Sequence, residues 1–429
     1  MRGRELERLG NRNKSLGDEA LLARLEPPPN HSPRGQMLSL SSKASGIAQS
    51  EIRVMSIECD RVRGINLAQG ICDTEVPEPV QRAAINAIRS GSNSYTRLDG
   101  IATLRHAIAR KMRDFNHVNV DPDREIVVTA GSTGAFYSAC MGLLNPGDEV
   151  IVFEPYYGYH VHTLMALDCV PVYVTMHPPK WIFSREQFEH AITPRTRAII
   201  LNTPANPSGK VFNREELEFV AGLAIHHDLF VITDEIYEYF VYDDNQHTSP
   251  ASLPDMAGRT ITISGFSEAD SITGWRIGYA VCDRRWAQAI GYFHDLAYIC
   301  APSPFQHGAT AGLEELAPDF YQSLAAEYCA KRDLLCTTLE QAGLPPSWPQ
   351  GSYYVLADAS GLPGQNSKEK AMYLLAQAGV AAVPGEAFFN GGGRNLLRFC
   401  FAKKETDLEE ACRRLSRLEI SAPTAGSRC

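Results

Sequence analysis

Between residues 125 and 281 the chain repeats one short pattern: an apolar run, a turn, then an amphipathic segment. The runs fall at 125–129, 149–153, 171–175, 198–202, 229–233, 260–264 and 277–281, and they are dense in Val and Ile. Candidate helices include 133–144, 214–227 and 285–300. A strand that stays apolar on successive residues has both faces covered, which is how parallel strands flanked by helices read. The pattern therefore predicts an α/β fold with a mostly parallel sheet, and constrains the architecture more than any other feature of the sequence.

The last hundred residues change character. A helical stretch over 319–342 stops at Gly343, with Pro345 and Pro346 just beyond. A strand at 353–357, a helix at 368–378, strands at 381–383 and 396–401, and a final helix at 405–417 complete the chain. The expected organisation is a polar arm over 1–45, a small α+β domain from 46–70 and 320–429, and a large α/β domain over 71–319.

Charge narrows the partners. With 41 Lys and Arg against 50 Asp and Glu, the net charge is −9, which lacks the basic footprint of a nucleic-acid binder. The 11 cysteines form no C-x-x-C pair and read as reduced thiols. The N-terminus is charged and has no apolar core, and the uncharged stretch 126–147 carries Thr129, Ser132, Thr133, Ser138 and Asn145. The expectation is a cytoplasmic protein with no membrane and no nucleic-acid partner. The histidines show no H-E-x-x-H or clustered spacing, so no metal is expected.

Four segments at strand ends, where open α/β sheets bind ligands, carry candidate chemistry. Ala130-Gly131-Ser132-Thr133-Gly134 offers backbone N–H groups and hydroxyls to a phosphate; a plain N-capped turn fits the same residues. Asn202–Gly209 is a rigid loop with two X-Pro steps that can aim the Asn206 amide. Asp234 follows a buried strand, where a carboxylate needs a cationic partner unless it caps a helix. Arg276, in a Gly-Trp-Arg turn, is suited to an anion.

Together, in this order and spacing over residues 45–418, these segments resemble the aminotransferase class I/II family. These are fold type I enzymes that use pyridoxal 5′-phosphate (PLP), and the resemblance implies their large domain with a mostly parallel seven-stranded sheet. The resemblance also runs through Tyr95, Tyr157, the GSYYVLADAS and GVAAVPGEAF segments, and Arg398 in NLLRFCFA. It implies that Ser132, Thr133, Ser267 and Arg276 hold the cofactor phosphate. Tyr95 would reach the phosphate in a neighbouring subunit, hence a homodimer. Tyr157 would stack on the ring, Asn206 and Tyr237 would bond its 3′ oxygen, and Asp234 would keep the ring nitrogen protonated. Arg398 would clamp the carboxylate of an amino or oxo acid, with the backbone at Gly70 closing the pocket.

One position departs from that pattern. Where the family has the lysine that forms the Schiff base, this sequence has Glu268, fixed in register by SGFS before it and TGWRIGY after it. Asp270 also stands where the family usually has an aromatic residue. A carboxylate cannot form an imine, and Lys43, Lys180 and Lys210 are not expected to face the ring. Three readings remain open. The first is an enzyme that holds PLP or its amine form, pyridoxamine 5′-phosphate (PMP), without a covalent link and uses Glu268, with Tyr237, as its catalytic groups. The second is a pseudoenzyme that keeps the pocket. The third is an enzyme of this fold that has abandoned PLP.

Overall fold

The structure is a computed structural model that describes residues 39–418, Ala48 excepted. The chain divides into two compact units, Met1–Ser45 and Gly46–Cys429. In the first, the described part holds one 3-10 turn, Ser42–Ser45; residues 1–38 of the expected arm lie outside the described residues. All the described strands belong to the second unit.

In chain order they are β1 (Ile65–Asn66), β2 (Ile126–Ala130), β3 (Glu149–Glu154), β4 (Val170–His177), β5 (Ile182–Phe183), β6 (Thr196–Asn202), β7 (Phe230–Asp234), β8 (Thr260–Gly265), β9 (Ile277–Val281), β10 (Pro346–Ser347), β11 (Tyr354–Asp358), β12 (Val380–Ala381), β13 (Val383–Pro384) and β14 (Leu396–Cys400). The main sheet runs in the order β2-β9-β8-β7-β6-β3-β4-β5. The pairs from β4 through β3, β6 and β7 to β8 are parallel, whereas β9 is antiparallel to both of its neighbours.

The sheet has eight strands where the sequence predicts seven. The seven apolar runs supply β2, β3, β4, β6, β7, β8 and β9. The eighth, β5, is two residues that pair antiparallel with Met176 and His177 of β4, too short to leave a period in the sequence.

Alternation along the central strands shows why uninterrupted apolar runs are needed. Val150, Val152, Ala198, Ile200, Phe230 and Ile232 pack on one face, against Ala135, Phe136 and Ala139 of helix Gly131–Leu143 and Ile290 of helix Arg284–Tyr298. Ile151, Phe153, Ile199, Leu201 and Val231 pack on the other, against Leu217 and Val220 of helix Arg214–His226. Successive side chains point to opposite faces, so both sets must be apolar. Helix Arg214–His226 starts where the sequence provides a capping box: Asn213 Oδ1 accepts from Glu216 N–H at 2.9 Å and Glu216 Oε2 accepts from Asn213 N–H at 3.0 Å.

A second sheet, β10-β11-β14-β13, is antiparallel throughout. Its core joins side chains of helices Pro318–Gln341, Ser367–Ala378 and Glu405–Leu415. The strand expected at 381–383 is divided at Ala382: β12 pairs parallel with β1, whereas β13 pairs antiparallel with β14. The last helix ends at Leu415, two residues short of the expectation. Every described cysteine is a free thiol. Among the described residues, no helix is long and apolar enough to cross a membrane.

Candidate active site

The C-terminal ends of β3, β6, β7 and β8 and the loop after β2 open onto one cavity of about 730 Å3. Its lining brings together Gly70, Ser132, Thr133, Tyr157, Asn206, Asp234, Tyr237, Ser267, Glu268 and Arg276, ten of the twelve site residues read from the sequence. Strand ends are natural ligand sites because the chain leaves the sheet there and side chains need not pack on both faces.

One side of the cavity gathers groups that can seat an anion. Ser132 and Thr133 lie in the first turn of helix Gly131–Leu143, whose N-cap position, Ala130, offers no side-chain acceptor to the free N–H groups. Those groups carry the positive end of the helix dipole. Arg276 reaches the same turn from the 3-10 segment before β9, with Nη1 donating to Thr273 O at 2.8 Å. A Cβ on Gly131, which has φ of +75°, would run into the Arg276 guanidinium. Glycine is what lets helix end and guanidinium converge here.

Asp234 ends β7. Its Oδ2 lies 3.0 Å from His160 Nε2, and Oδ1 accepts from the Ile236 N–H at 3.3 Å. His160 also lines the cavity, and its ring stands edge-on to Tyr157 at 5.2 Å. Tyr157 in turn stacks on Tyr159 at 5.2 Å and 29°. The sequence does not single out His160, because neither metal-ligand spacing nor a helix-end position marks it. Its partner is 74 positions away and becomes a neighbour only when β7 is laid beside the helix Gly158–Ala166.

Glu268 sits in the turn after β8. Cys72 Sγ donates to its backbone oxygen at 3.3 Å, while its Oε2 is shielded from solvent with no hydrogen-bond partner. Burial pushes its carboxyl up to about 8, the Asp234 charge adds to this, and Arg276 and the Tyr353 hydroxyl offset part of it. No lysine lies among the described residues that line the cavity. Lys210 is buried elsewhere, in an ion pair with Glu216 at 2.8 Å.

Two of the twelve stand outside the lining. Arg398 on β14 is fully buried, with Nη1 donating to Asn206 Oδ1 at 2.9 Å, Nη2 donating to Ala68 O at 2.6 Å, and Nε unpartnered. It is sandwiched between the Tyr354 ring at 4.3 Å and the Phe388 ring at 5.0 Å. Because Asn206 gives its oxygen to Arg398, its NH2 is the group left to face the cavity. Gly70 closes over Tyr354, whose hydroxyl occupies the space where a Cβ would be. Tyr95 is 80 % exposed and does not reach the cavity of its own chain.

Asp270 points away from the site. It is buried beside Gly312 with Oδ2 unpartnered, and burial pushes its carboxyl up to about 7. Nearby, Glu235, Glu238 and His247 lie close enough together to suggest a metal. Their four carboxylate oxygens are already bonded. Ser249 and His247 serve Glu235, and Ser264, Asn116 and Lys111 serve Glu238, the Lys111 pair at 2.5 Å. The carboxylates are thus satisfied by protein groups, while Asn116 Oδ1 and His247 Nδ1 of the same buried network stay without a hydrogen-bond partner.

A sequence profile described as aminotransferase class I and II matches residues 62–415. The chain belongs to that family. It is 32 % identical over 384 residues to an aspartate aminotransferase of Pyrococcus abyssi, covering 89 % of this chain and 98 % of that one. It is also 32 % identical over 378 residues to a methionine aminotransferase of Escherichia coli, covering 88 % and 98 %. The solved structure of N-succinyldiaminopimelate aminotransferase from Mycobacterium tuberculosis superposes with a TM-score of 0.86 at 34 % identity, over 89 % of this chain and all of that one. The fold is that of the fold type I PLP aminotransferases. Aminotransferase family membership brings with it a cofactor class, PLP or PMP, and a substrate class, amino and oxo acids.

Proposed function

We propose that this protein is a lysine-independent member of the aminotransferase family. It binds PLP or PMP without a covalent link and acts on an amino or oxo acid with Glu268 as general acid and base. The observation that carries the reading is the lining itself: Glu268 faces the cavity, and no lysine does so among the described residues.

The residues present fit the cofactor. Ser132, Thr133, Ser267 and Arg276 would hold its phosphate, and Asp234, steadied by His160, would face the ring nitrogen. Tyr157 would stack on the ring, while Asn206 and Tyr237 would bond its 3′ oxygen. When bound, PLP or PMP supplies an electron-withdrawing ring conjugated to the reacting carbon. Glu268, with its carboxyl raised to about 8, can both hold and release a proton near neutral pH. It would do so at the substrate Cα or at C4′. Arg398, under Asn206 and with Nε unspent, would receive the substrate carboxylate, with Gly70 closing the pocket. Tyr95, exposed on its own chain, would serve the site of a second copy in a homodimer. The arm over 1–45 and the division at 70 and 320 belong to the same reading.

The test is an intact mass and an absorbance spectrum of the protein with PLP, before and after borohydride. Reversible binding with no covalent adduct is expected; a lysine adduct would overturn the reading. Glu268→Gln should then retain the cofactor and lose turnover.

A second reading, a pocket that binds cofactor without turnover, has one observation in its favour: Arg398 lies beneath the floor of the cavity rather than in its lining. An amino-acid-dependent spectral change at saturating PLP or PMP would exclude it.

A further inference from the structure

We infer that Glu268 and Asp234 together select a ligand with two cationic centres, so that the pocket takes PMP in preference to PLP. The inference rests on the cofactor reading above and deepens it. Arg276 and the free helix N–H groups form one anion seat, and Asp234 and Glu268 are two carboxyls on the same cavity. The two are close enough for the Asp234 charge to raise the Glu268 carboxyl.

The two carboxyls differ in what they already hold. Asp234 has His160 and the Ile236 N–H, so its place is defined and it can meet a ring N–H. Glu268 Oε2 has no partner although solvent does not reach it. The buried, neutral Tyr353 hydroxyl is the protein donor near this carboxyl, and a ligand that brings a charged donor offers it a stronger bond. If phosphate were held at Arg276 and the ring nitrogen at Asp234, the substituent left for Glu268 would be the one at C4′. In PMP that substituent is an ammonium, with three N–H donors and a positive charge. In PLP it is an aldehyde, whose oxygen only accepts: it meets the carboxylate lone pair to lone pair, and from the protonated acid it takes a single neutral bond, weaker than the charge-assisted one. A lysine at this position would invert the preference, because an amine captures the aldehyde. A carboxylate captures nothing and favours the cation.

Charge-assisted bonds in shielded sites exceed neutral ones by enough to shift affinity about ten- to a hundredfold. The experiment titrates the full-length protein with PMP, with PLP and with pyridoxine 5′-phosphate, whose C4′ group is a neutral hydroxymethyl. Dissociation constants are read by calorimetry for the wild type and for Glu268→Gln. The wild type should bind PMP at least about tenfold more tightly than pyridoxine 5′-phosphate or PLP. In Glu268→Gln the ratio of PMP to pyridoxine 5′-phosphate should fall towards one, with pyridoxine 5′-phosphate affinity little changed. Equal affinities in the wild type overturn the inference and leave the cofactor reading standing; a ratio unchanged in Glu268→Gln does the same. If none of the three binds, both fall. Should Glu268→Gln not fold, the wild-type ratio alone decides.

Discussion

Arg398 Nη1 donates to Asn206 Oδ1 at 2.9 Å, a bond that joins β14 of the second sheet to the loop after β6 of the main one. The guanidinium is thus fixed by protein groups alone, with Nε left unpartnered.

Replacing Arg398 with Lys keeps the charge but loses the planar fork. Affinity for an amino or oxo acid should fall about ten- to a hundredfold, read as the Kd of a non-reactive carboxylate analogue. Unchanged affinity would remove Arg398 from the substrate site.

Asp234→Asn removes the charge that would face a ring nitrogen and leaves His160 Nε2 a weaker partner. PLP and PMP affinity should drop by about tenfold or more, measured by fluorescence titration. His160→Leu should weaken binding less and in the same direction, since His160 acts through Asp234. A larger loss from His160 than from Asp234 would contradict that order.

Two carboxyls are raised by burial, Glu268 to about 8 and Asp270 to about 7. The native state therefore binds more protons than the unfolded chain between roughly pH 4 and those values. Their contribution to stability is complete below that window and is lost as pH rises through it. The apo protein should lose stability between pH 5 and pH 9. Asp270→Asn, neutral at every pH, should flatten the lower part of that decline by about 1–3 kcal/mol, read from urea unfolding at pH 5 and pH 8. An identical slope in the variant would exclude Asp270 as its source.

Gly131→Ala would force a side chain onto a residue with φ of +75° and into the Arg276 guanidinium. A loss of about 1–3 kcal/mol of stability is expected, with a parallel fall in affinity for the cofactor phosphate. Thermal melts with and without pyridoxine 5′-phosphate separate the two effects; a normal ligand-induced shift would mean the seat tolerates the methyl group.

Lys111→Met would leave Glu238 as an uncompensated buried carboxylate and should cost about 3–5 kcal/mol. The double variant Lys111→Met, Glu238→Leu should recover much of the loss, measured by denaturant unfolding. No recovery would mean that Asn116 and Ser264 need Glu238 more than Lys111 does.

Sequence alone carried the main sheet because each central strand must satisfy two apolar faces, as Val150 and Ile151 do on β3. It placed β9 to the residue, 277–281. It lost β5, and it fused β12 with β13, because two-residue strands leave no periodicity and their pairing depends on β1 and β14. The cavity was legible for the same kind of reason: Ser132, Asn206, Asp234 and Arg276 sit at strand ends beside turn residues that mark them. His160 was not, because its meaning is a distance to Asp234 and no local pattern encodes it. Nor was the withdrawal of Arg398 beneath Asn206, which depends on how Tyr354 and Phe388 close around it.

The proposed anion seat draws on the two ends of the main sheet's chain order. Ser132 follows β2, the first of its strands to be synthesised, and Arg276 precedes β9, the last, and the two strands lie side by side. On the proposed reading, a nascent chain that has not yet reached Arg276 would have half a grip on a phosphate. The ligand therefore cannot guide the earlier strands into place. It would act as a clasp fastened after a long-range closure has formed, so its absence should leave the route of folding untouched and change only how firmly the finished sheet stays shut.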